Sequence, residues 1–142
     1  MKMINKDRRR SSKDITPTNK VLTLMELKYD DVFYHINEWW WGISIDIVKD
    51  DGTAIVCVKF DKKYFPTTGS IYGLSVLSTE RRKGLGTKMI KYALMSCKDN
   101  GMIYARLCVD AKNIWLRKWY ERLEFKELYR GENEIEMIIE LH

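Results

Sequence analysis

Apolar and polar residues alternate along part of the first half of the chain. Apolar side chains occupy every second position from 41 to 47, and a run rich in β-branched residues follows at 53–60. Between the two stands Asp51-Gly52, a dipeptide that favours the tight turn of a β-hairpin. The pattern therefore predicts two antiparallel strands that meet at this turn.

The rest of the chain reads as further strands and helices. Short β-rich runs predict strands at 21–27, 70–77, 102–109, 125–129 and 135–141. A short helix is predicted at 30–38, capped by Asp30 or Asp31. Helical spacing of apolar residues predicts a helix that begins at Gly84 and Gly86 and ends near Asn100-Gly101, and another at 113–123. This order predicts an α+β, mixed-sheet domain with helices packed on its faces.

Length and composition indicate one globular domain. The chain has 142 residues, 45% of them hydrophobic and 32% charged, and no apolar run approaches the roughly 18 to 20 residues that cross a bilayer. Residues 1–19 are polar and basic, which predicts a disordered tail before a domain at 20–142. They lack the apolar stretch of a secretory signal, so we expect a cytoplasmic protein without a membrane partner.

Charge and cysteine content narrow the kinds of ligand. A formal charge of +5 favours anionic partners, among which a phosphorylated cofactor, nucleic acid and acidic protein surfaces are all admissible. Cys57, Cys97 and Cys108 lie in apolar segments without a CxxC pair, and the chain has only two histidines. We therefore expect buried free thiols and no metal site.

The segment 74–87 combines a strand, a turn and a helix start. At a helix N-terminus several backbone amides lack intrahelical partners, and the macrodipole adds roughly half a positive charge, so a phosphate is favoured there. Gly84 and Gly86 allow close approach of the backbone, and the basic run at 81–83 adds attraction. The segment predicts an anion site, although a basic helix start with flexible glycines and no ligand is the alternative.

Residues downstream of this segment make the pattern more specific. Arg81-x-x-Gly84-x-Gly86 follows a predicted strand, and after it come Leu107-x-Val109, Asn113 and Trp119-Tyr120-x-x-Leu123-x-Phe125. The two blocks, in this order, resemble the GNAT superfamily of N-acetyltransferases from about Leu22 to the C-terminus. The resemblance implies a central mixed, mostly antiparallel sheet of about seven strands flanked by helices.

The resemblance also implies a role for each matching position. Backbone groups of Leu74 and Val76 would pair with the pantetheine arm of acetyl-CoA, and the Val76 amide would polarise the thioester carbonyl. Asn113 would hydrogen-bond the cofactor arm, and Tyr120 would lie near the sulfur as general acid, unless it only packs between helix and sheet. Backbone amides would hold the pyrophosphate at Arg81, Arg82, Lys83, Gly84, Leu85, Gly86 and Thr87.

The implied activity is transfer of an acetyl group from acetyl-CoA to a primary amine by direct attack in a ternary complex. A small amine, an antibiotic amine, a protein N-terminus and a lysine side chain all stay open as acceptors. A non-catalytic acyl-CoA-binding module is the main alternative. A nucleic-acid-binding protein that uses the basic tail is a weaker one, and we expect no specific nucleic acid partner.

Two positions depart from the family pattern, and a catalytic base is missing. Leu116 replaces a small residue, and Glu124 replaces the glycine before the last aromatic, which implies a different turn. The strand at 70–79 carries no Asp, Glu or His to take the proton from an amine. His35, Glu38 or Asp46 could serve directly or through water, or could be surface residues.

Three consecutive tryptophans, at 39–41, form the other notable feature of the sequence. Their rings could line an acceptor pocket, where they would stack on an amine compound or contact its cation, or insert into the core. In the family that the chain resembles, the region between the first and second strands usually shapes the acceptor site, and here it is short. The resemblance therefore implies an open groove suited to a peptide, or one completed by a second subunit in a homodimer.

Overall fold

A computed structural model describes the backbone of residues 27–29 and the whole of residues 31–142. Two helices are present in this part of the chain, α1 (Leu85–Asp99) and α2 (Ile114–Arg122), and a 3-10 turn spans Ser78–Glu80. The strands are β1 (Leu27–Tyr29), β2 (Val32–Trp39), β3 (Gly42–Lys49), β4 (Ala54–Asp61), β5 (Thr68–Val76), β6 (Tyr104–Asp110), β7 (Lys126–Arg130) and β8 (Glu134–Glu140).

These eight strands form one sheet in the spatial order β1-β2-β3-β4-β5-β6-β8-β7. Strands β5 and β6 run parallel, and the other neighbouring pairs are antiparallel. The predicted α+β class with a mixed, mostly antiparallel sheet is confirmed, with eight strands in place of about seven. The parallel pair requires a crossover, and α1 supplies it.

The predicted hairpin is confirmed as β3 and β4. Gly52 adopts a φ of +78°, a left-handed conformation that glycine reaches without a steric penalty, and its amide donates to the Lys49 carbonyl at 2.8 Å. The strands predicted at 70–77, 102–109, 125–129 and 135–141 appear as β5 to β8, within a few residues of the predicted ends. Residues 21–26 of the strand predicted at 21–27, and the tail at 1–19, lie outside the described residues.

The helix predicted at 30–38 is wrong, because this segment forms β2. Its buried and half-buried positions alternate, and the strand pairs along its length with β3, with Ile36 opposite Ile45 and Tyr34 opposite Ile47. The segment is rich in β-branched and aromatic residues, which fit a pleated surface between two neighbours. Asp31, expected as a helix cap, instead binds α1, where it accepts from the Tyr92 hydroxyl at 2.6 Å and from Lys88.

One continuous core fills the face of the sheet that α1 and α2 cover. Ile47 stands opposite Val56 and Leu107 opposite Met137, so their side chains share this face. A Cβ built at Gly69 would lie 2.6 Å from Cys97 Sγ, so α1 packs against β5 closer than a side chain would permit. This contact fixes the end of α1 relative to the start of β5.

The three cysteines are free, but they differ in burial. Cys97 is fully buried in α1, and burial raises the pKa of its thiol to about 12. Cys57 is half-buried and Cys108 is exposed, so the prediction of three buried thiols is correct for Cys97 alone. Cys108 is exposed because it alternates with core residues on β6 and points to the opposite face.

Within the described residues, no helix is long and apolar enough to span a membrane.

Candidate active site

Strands β5 and β6 separate after a short parallel contact. Their pairing ends at Ser70 and Arg106, although β5 continues to Val76. The Leu77 amide donates to the Thr53 carbonyl on the β4 side. Because backbone groups of a strand alternate between its two edges, those of Leu74 and Val76 point into the gap. The gap therefore offers backbone donors and acceptors to an extended ligand.

The N-terminus of α1 lies at the end of this gap. Gly84 is the N-cap residue in a left-handed conformation with a φ of +78°, and no side chain caps the helix. The first turn carries no acidic residue, and a Cβ at Gly84 would have no neighbour within 4 Å. The orphan amides of the first turn are thus open to an anion, which the macrodipole also favours.

The gap and the helix start together form a cleft of about 500 Å³, which we call the β5–α1 cleft. Most of the residues predicted for cofactor binding line it, and residues without a predicted role complete its wall. It is lined by Leu74, Ser75, Val76, Arg81, Arg82, Gly84, Gly86, Thr87, Trp115, Leu116 and Trp119.

The three basic residues of the loop differ in their placement. Arg81 lines the β5–α1 cleft and donates from Nε to the Val76 carbonyl at 3.1 Å, which ties the loop to the end of β5. Arg82 also lines the cleft, with a φ of +69°. Lys83 lies outside the lining and pairs with Glu80 at 3.4 Å. Two guanidinium groups therefore supply the positive charge of the cleft.

Tyr120 lies in the core behind the cleft, with 6% of its surface exposed. Its ring contacts Trp119, with centroids 4.9 Å apart, and meets the edge of Phe125 at 5.5 Å. Burial raises the pKa of its hydroxyl to about 12. The phenol is thus protonated at neutral pH. Because Trp119 lines the cleft, the Tyr120 ring adjoins the cleft lining at this residue.

The end of α2 holds this aromatic group in place. The Phe125 amide donates to the Tyr120 carbonyl and the Glu124 amide to the Glu121 carbonyl, the two bonds of a Schellman motif. Glu124 adopts a φ of +78°, the left-handed conformation usually taken by glycine at this position. The predicted different turn is therefore wrong, because Glu124 adopts the turn of a glycine at a steric cost.

Asn113 is the N-cap of α2 rather than part of the cleft lining. Its side-chain oxygen accepts from the Leu116 amide at 3.1 Å. This bond satisfies one of the orphan amides of the helix start and sets the direction in which α2 leaves β6. Asn113 thus positions the tryptophans of α2, and its predicted bond to a cofactor arm stays a prediction.

The candidate bases lie on the strands β2 and β3, away from the lining of the β5–α1 cleft. His35 and Asp46 are cross-strand partners, 8% and 3% exposed, so the alternative that they are surface residues is wrong. Asp46 stands opposite Cys57, and Cys57 opposite Tyr72, so one polar row crosses the sheet from β2 to β5. Glu38 is half-buried beside the tryptophans.

The three consecutive tryptophans line a second cleft of about 510 Å³. We call it the hairpin cleft, because it lies at the turn between β2 and β3. Trp39 is buried, donates from Nε1 to Ser44 Oγ at 2.8 Å, and lies parallel to Trp41 with centroids 6.1 Å apart. Trp40 is 67% exposed. Each of the two predicted placements therefore holds for a different residue, since Trp39 is buried and Trp40 lies at the surface. Lys62 and Lys63 complete the lining of the hairpin cleft.

Sequence reasoning assigned no role to Trp115, Leu116 or Trp119, although all three line the β5–α1 cleft. The tryptophans are four residues apart on α2, so they share one face of the helix. That spacing, read together with the anion site, was the signal that could have found them.

The sequence model of the acetyltransferase (GNAT) family matches residues 15–125 of this chain. The chain belongs to the GNAT family. The matched range includes β5, the basic loop, both helices and the strand β6, which together form the cleft. A search of the curated proteins with the sequence finds no significant match.

Solved structures of GNAT-family proteins share the fold. An acetyltransferase of the family from Staphylococcus aureus Mu50 superposes with a TM-score of 0.58 at 15% identity, over 71% of this chain and 68% of that one. The ribosomal-protein-S18-alanine N-acetyltransferase from Escherichia coli gives 0.57 at 16%, over 73% and 72%. A Bacillus subtilis acetyltransferase in complex with CoA gives 0.58 at 13%, over 72% and 78%.

Proposed function

We propose that the protein is an N-acetyltransferase that transfers an acetyl group from acetyl-CoA to a primary amine by direct attack in a ternary complex. The observation that carries the proposal is the β5–α1 cleft, in which a gap between parallel strands leads to an uncapped, glycine-started helix. A long ligand with an amide-containing arm and a pyrophosphate needs this combination of strand edge and anion site.

The residues of the cleft fit acetyl-CoA by their chemistry. The edge of β5 presents the backbone of Leu74 and Val76 to a ligand that can pair as a strand does. Since the Val76 carbonyl is bound by Arg81, the Val76 amide is the group we assign to the thioester oxygen. The amides from Gly84 to Thr87 and the two arginines would hold the phosphates. Bound here, acetyl-CoA supplies an activated acyl group.

Two proton movements accompany acyl transfer to an amine. A fixed amide donor such as that of Val76 favours the negative charge that develops on the carbonyl oxygen. Tyr120 keeps its proton up to high pH, because burial raises its pKa to about 12, and we assign it the protonation of the departing sulfur. The amine must lose a proton, and among the residues that the structure describes the cleft lining holds no carboxylate or imidazole for this step.

This missing base supports a second candidate function, a module that binds acyl-CoA without turnover. Of the predicted bases, His35 lies on β2 and Asp46 on β3, and β4 and β5 separate both strands from the gap. A bound water or an amine that is already neutral could replace a protein base in the enzyme. Activity, rather than binding, distinguishes the two functions.

An acceptor screen tests the proposal. Purified protein and acetyl-CoA are mixed with a polyamine, an aminoglycoside, a peptide with a free N-terminus and a peptide with an internal lysine. The concentration of free thiol is measured over time, and the mass of the acceptor is determined by mass spectrometry. We expect thiol release together with an acetylated acceptor for one class. Binding of acetyl-CoA without thiol release from any class would support the non-catalytic module instead.

A further inference from the structure

We propose that Trp115 and Trp119 form a stacking platform for the adenine base of acetyl-CoA, beside the phosphate site of the β5–α1 cleft. The inference rests on the proposed function, because it assigns residues to the nucleotide end of the same ligand. It concerns affinity for the nucleotide rather than the chemistry at the thioester.

The two rings lie parallel to each other on one face of α2. Their planes differ by 4°, and their centroids lie 6.4 Å apart. Trp115 is 68% exposed even though it lines the cleft, so a flat apolar face of the largest side chain is in contact with water. Such a ring gains free energy when another flat ring covers it.

Contacts with α1 hold the inner ring of the platform. A Cβ built at Gly86 would lie 3.4 Å from Trp119 Cζ2, so this ring packs against the first turn of α1 at a position without a side chain. Trp119 also contacts the buried Tyr120 ring. The platform is therefore anchored at the phosphate end of the cleft, with Trp115 extending it toward solvent.

The chemistry next to the platform identifies its ligand. Arg81 and Arg82 line the same cleft and favour phosphate groups, and the uncapped start of α1 does the same. A nucleotide carries phosphates and a flat ring within one molecule, so it fits both features of the cleft. Every nucleobase has a π-face that stacks on an aromatic side chain, which explains why the platform needs no hydrogen-bonding side chain.

The test compares two ligands that differ only in the nucleotide. Acetyl-CoA and acetyl-4′-phosphopantetheine share the thioester and the arm, and the second lacks the adenosine together with its 3′-phosphate and one phosphate of the pyrophosphate. We expect Trp115→Ala to weaken acetyl-CoA binding by about 10-fold, as for loss of one stacked base, and to leave acetyl-4′-phosphopantetheine within about two-fold. Trp115→Phe should recover part of the affinity for acetyl-CoA.

Ile114→Ala is the matched control, because Ile114 is also exposed on the first turn of α2 and does not line the cleft. It should change neither affinity. If Trp115→Ala lowers the affinity for both ligands equally, or lowers neither, the platform proposal is wrong. The proposed acetyl-CoA binding by the unmodified protein would still stand in that case. If the unmodified protein binds neither ligand, the proposed function fails as well.

Discussion

Two clefts of nearly equal volume, about 500 and 510 Å³, are each lined by tryptophans and by two basic side chains. The hairpin cleft lies on regular antiparallel strands, with Trp39 opposite Gly42. Pairing between these strands already uses their backbone hydrogen-bonding groups. The β5–α1 cleft lies where two strands part and a helix begins without a cap. The two clefts are thus similar in residue composition, but they differ in whether their backbone groups are available to bind a ligand.

This difference teaches that the backbone, more than the side chains, distinguishes the proposed binding site from the other cleft. A Cβ at Gly42 would lie 1.9 Å from the Phe60 carbonyl oxygen, so that glycine serves the packing of the hairpin. A Cβ at Gly84 would meet nothing within 4 Å, so that glycine instead leaves space beside open amides. The same residue type has a structural role in one cleft and a proposed binding role in the other.

The largest effect is expected from Tyr120→Phe, behind the β5–α1 cleft. The ring and most of its packing against Phe125 are retained, while the proton donor is lost. Single-turnover acetyl transfer should fall by roughly 10²- to 10⁴-fold, and acetyl-CoA affinity should stay within a few-fold. Transfer at the unmodified rate would show that Tyr120 only packs, and that another group protonates the sulfur.

The hairpin cleft should respond in stability rather than in catalysis. Trp39→Ala removes a buried ring and its bond to Ser44, so the free energy of unfolding should fall by about 3–5 kcal/mol in denaturant titration. Trp40→Ala, at an exposed neighbour, should change it by no more than about 0.5 kcal/mol. Acetyl-CoA affinity of folded Trp39→Ala should be unaltered, and a loss above 10-fold would break the distinction between the clefts.

Much of this arrangement was predictable from local chemistry. Asp51-Gly52 specified a turn that depends on neighbouring residues only, and 84–87 specified a helix start. The strand β2 was mistaken for a helix because Asp30 and Asp31 resemble a cap, whereas the pairing with β3 that decides its structure involves residues about ten positions away. The exposure of Cys108 likewise depends on which face of β6 is covered.

The site was predicted least well where it depends on packing between elements. The basic loop and helix start at 81–87 form one continuous segment, so the local sequence was sufficient to predict an anion site there. Trp115 and Trp119 reach the cleft only because α2 packs across the start of α1, a contact between residues about thirty positions apart. The register that places His35 beside Asp46 is equally non-local.

A smaller effect is expected at alkaline pH, where two buried groups, Cys97 and Tyr120, titrate. Burial raises the pKa of Cys97 and of Tyr120 to about 12, so both stay neutral in the folded protein while they ionise in the unfolded chain at lower pH. The unfolded state then binds fewer protons, and stability should decline as pH rises from about 9 to 12.

Between pH 8 and pH 11, Tyr120→Phe should remove roughly 1 kcal/mol of this decline, most of it above pH 10. Denaturant titrations at pH 8, 10 and 11 measure the difference. Trp39→Phe, in the hairpin cleft, carries no titrating group and should keep the slope of the unmodified protein. An identical slope in Tyr120→Phe would mean that the hydroxyl is not desolvated in the folded state.

The central claim, that the β5–α1 cleft binds acetyl-CoA through its backbone and charge, is tested most directly by calorimetric titration of two glycine variants. Gly84 and Gly52 both have a φ of +78° and open space around them, so Gly84→Asp and Gly52→Asp impose the same backbone strain and the same charge at different places. Gly84→Asp should lose more than about 10-fold in acetyl-CoA affinity, because its carboxylate repels the phosphates at the helix start, while Gly52→Asp should bind as the unmodified protein does. Equal affinity in all three proteins would contradict the claim.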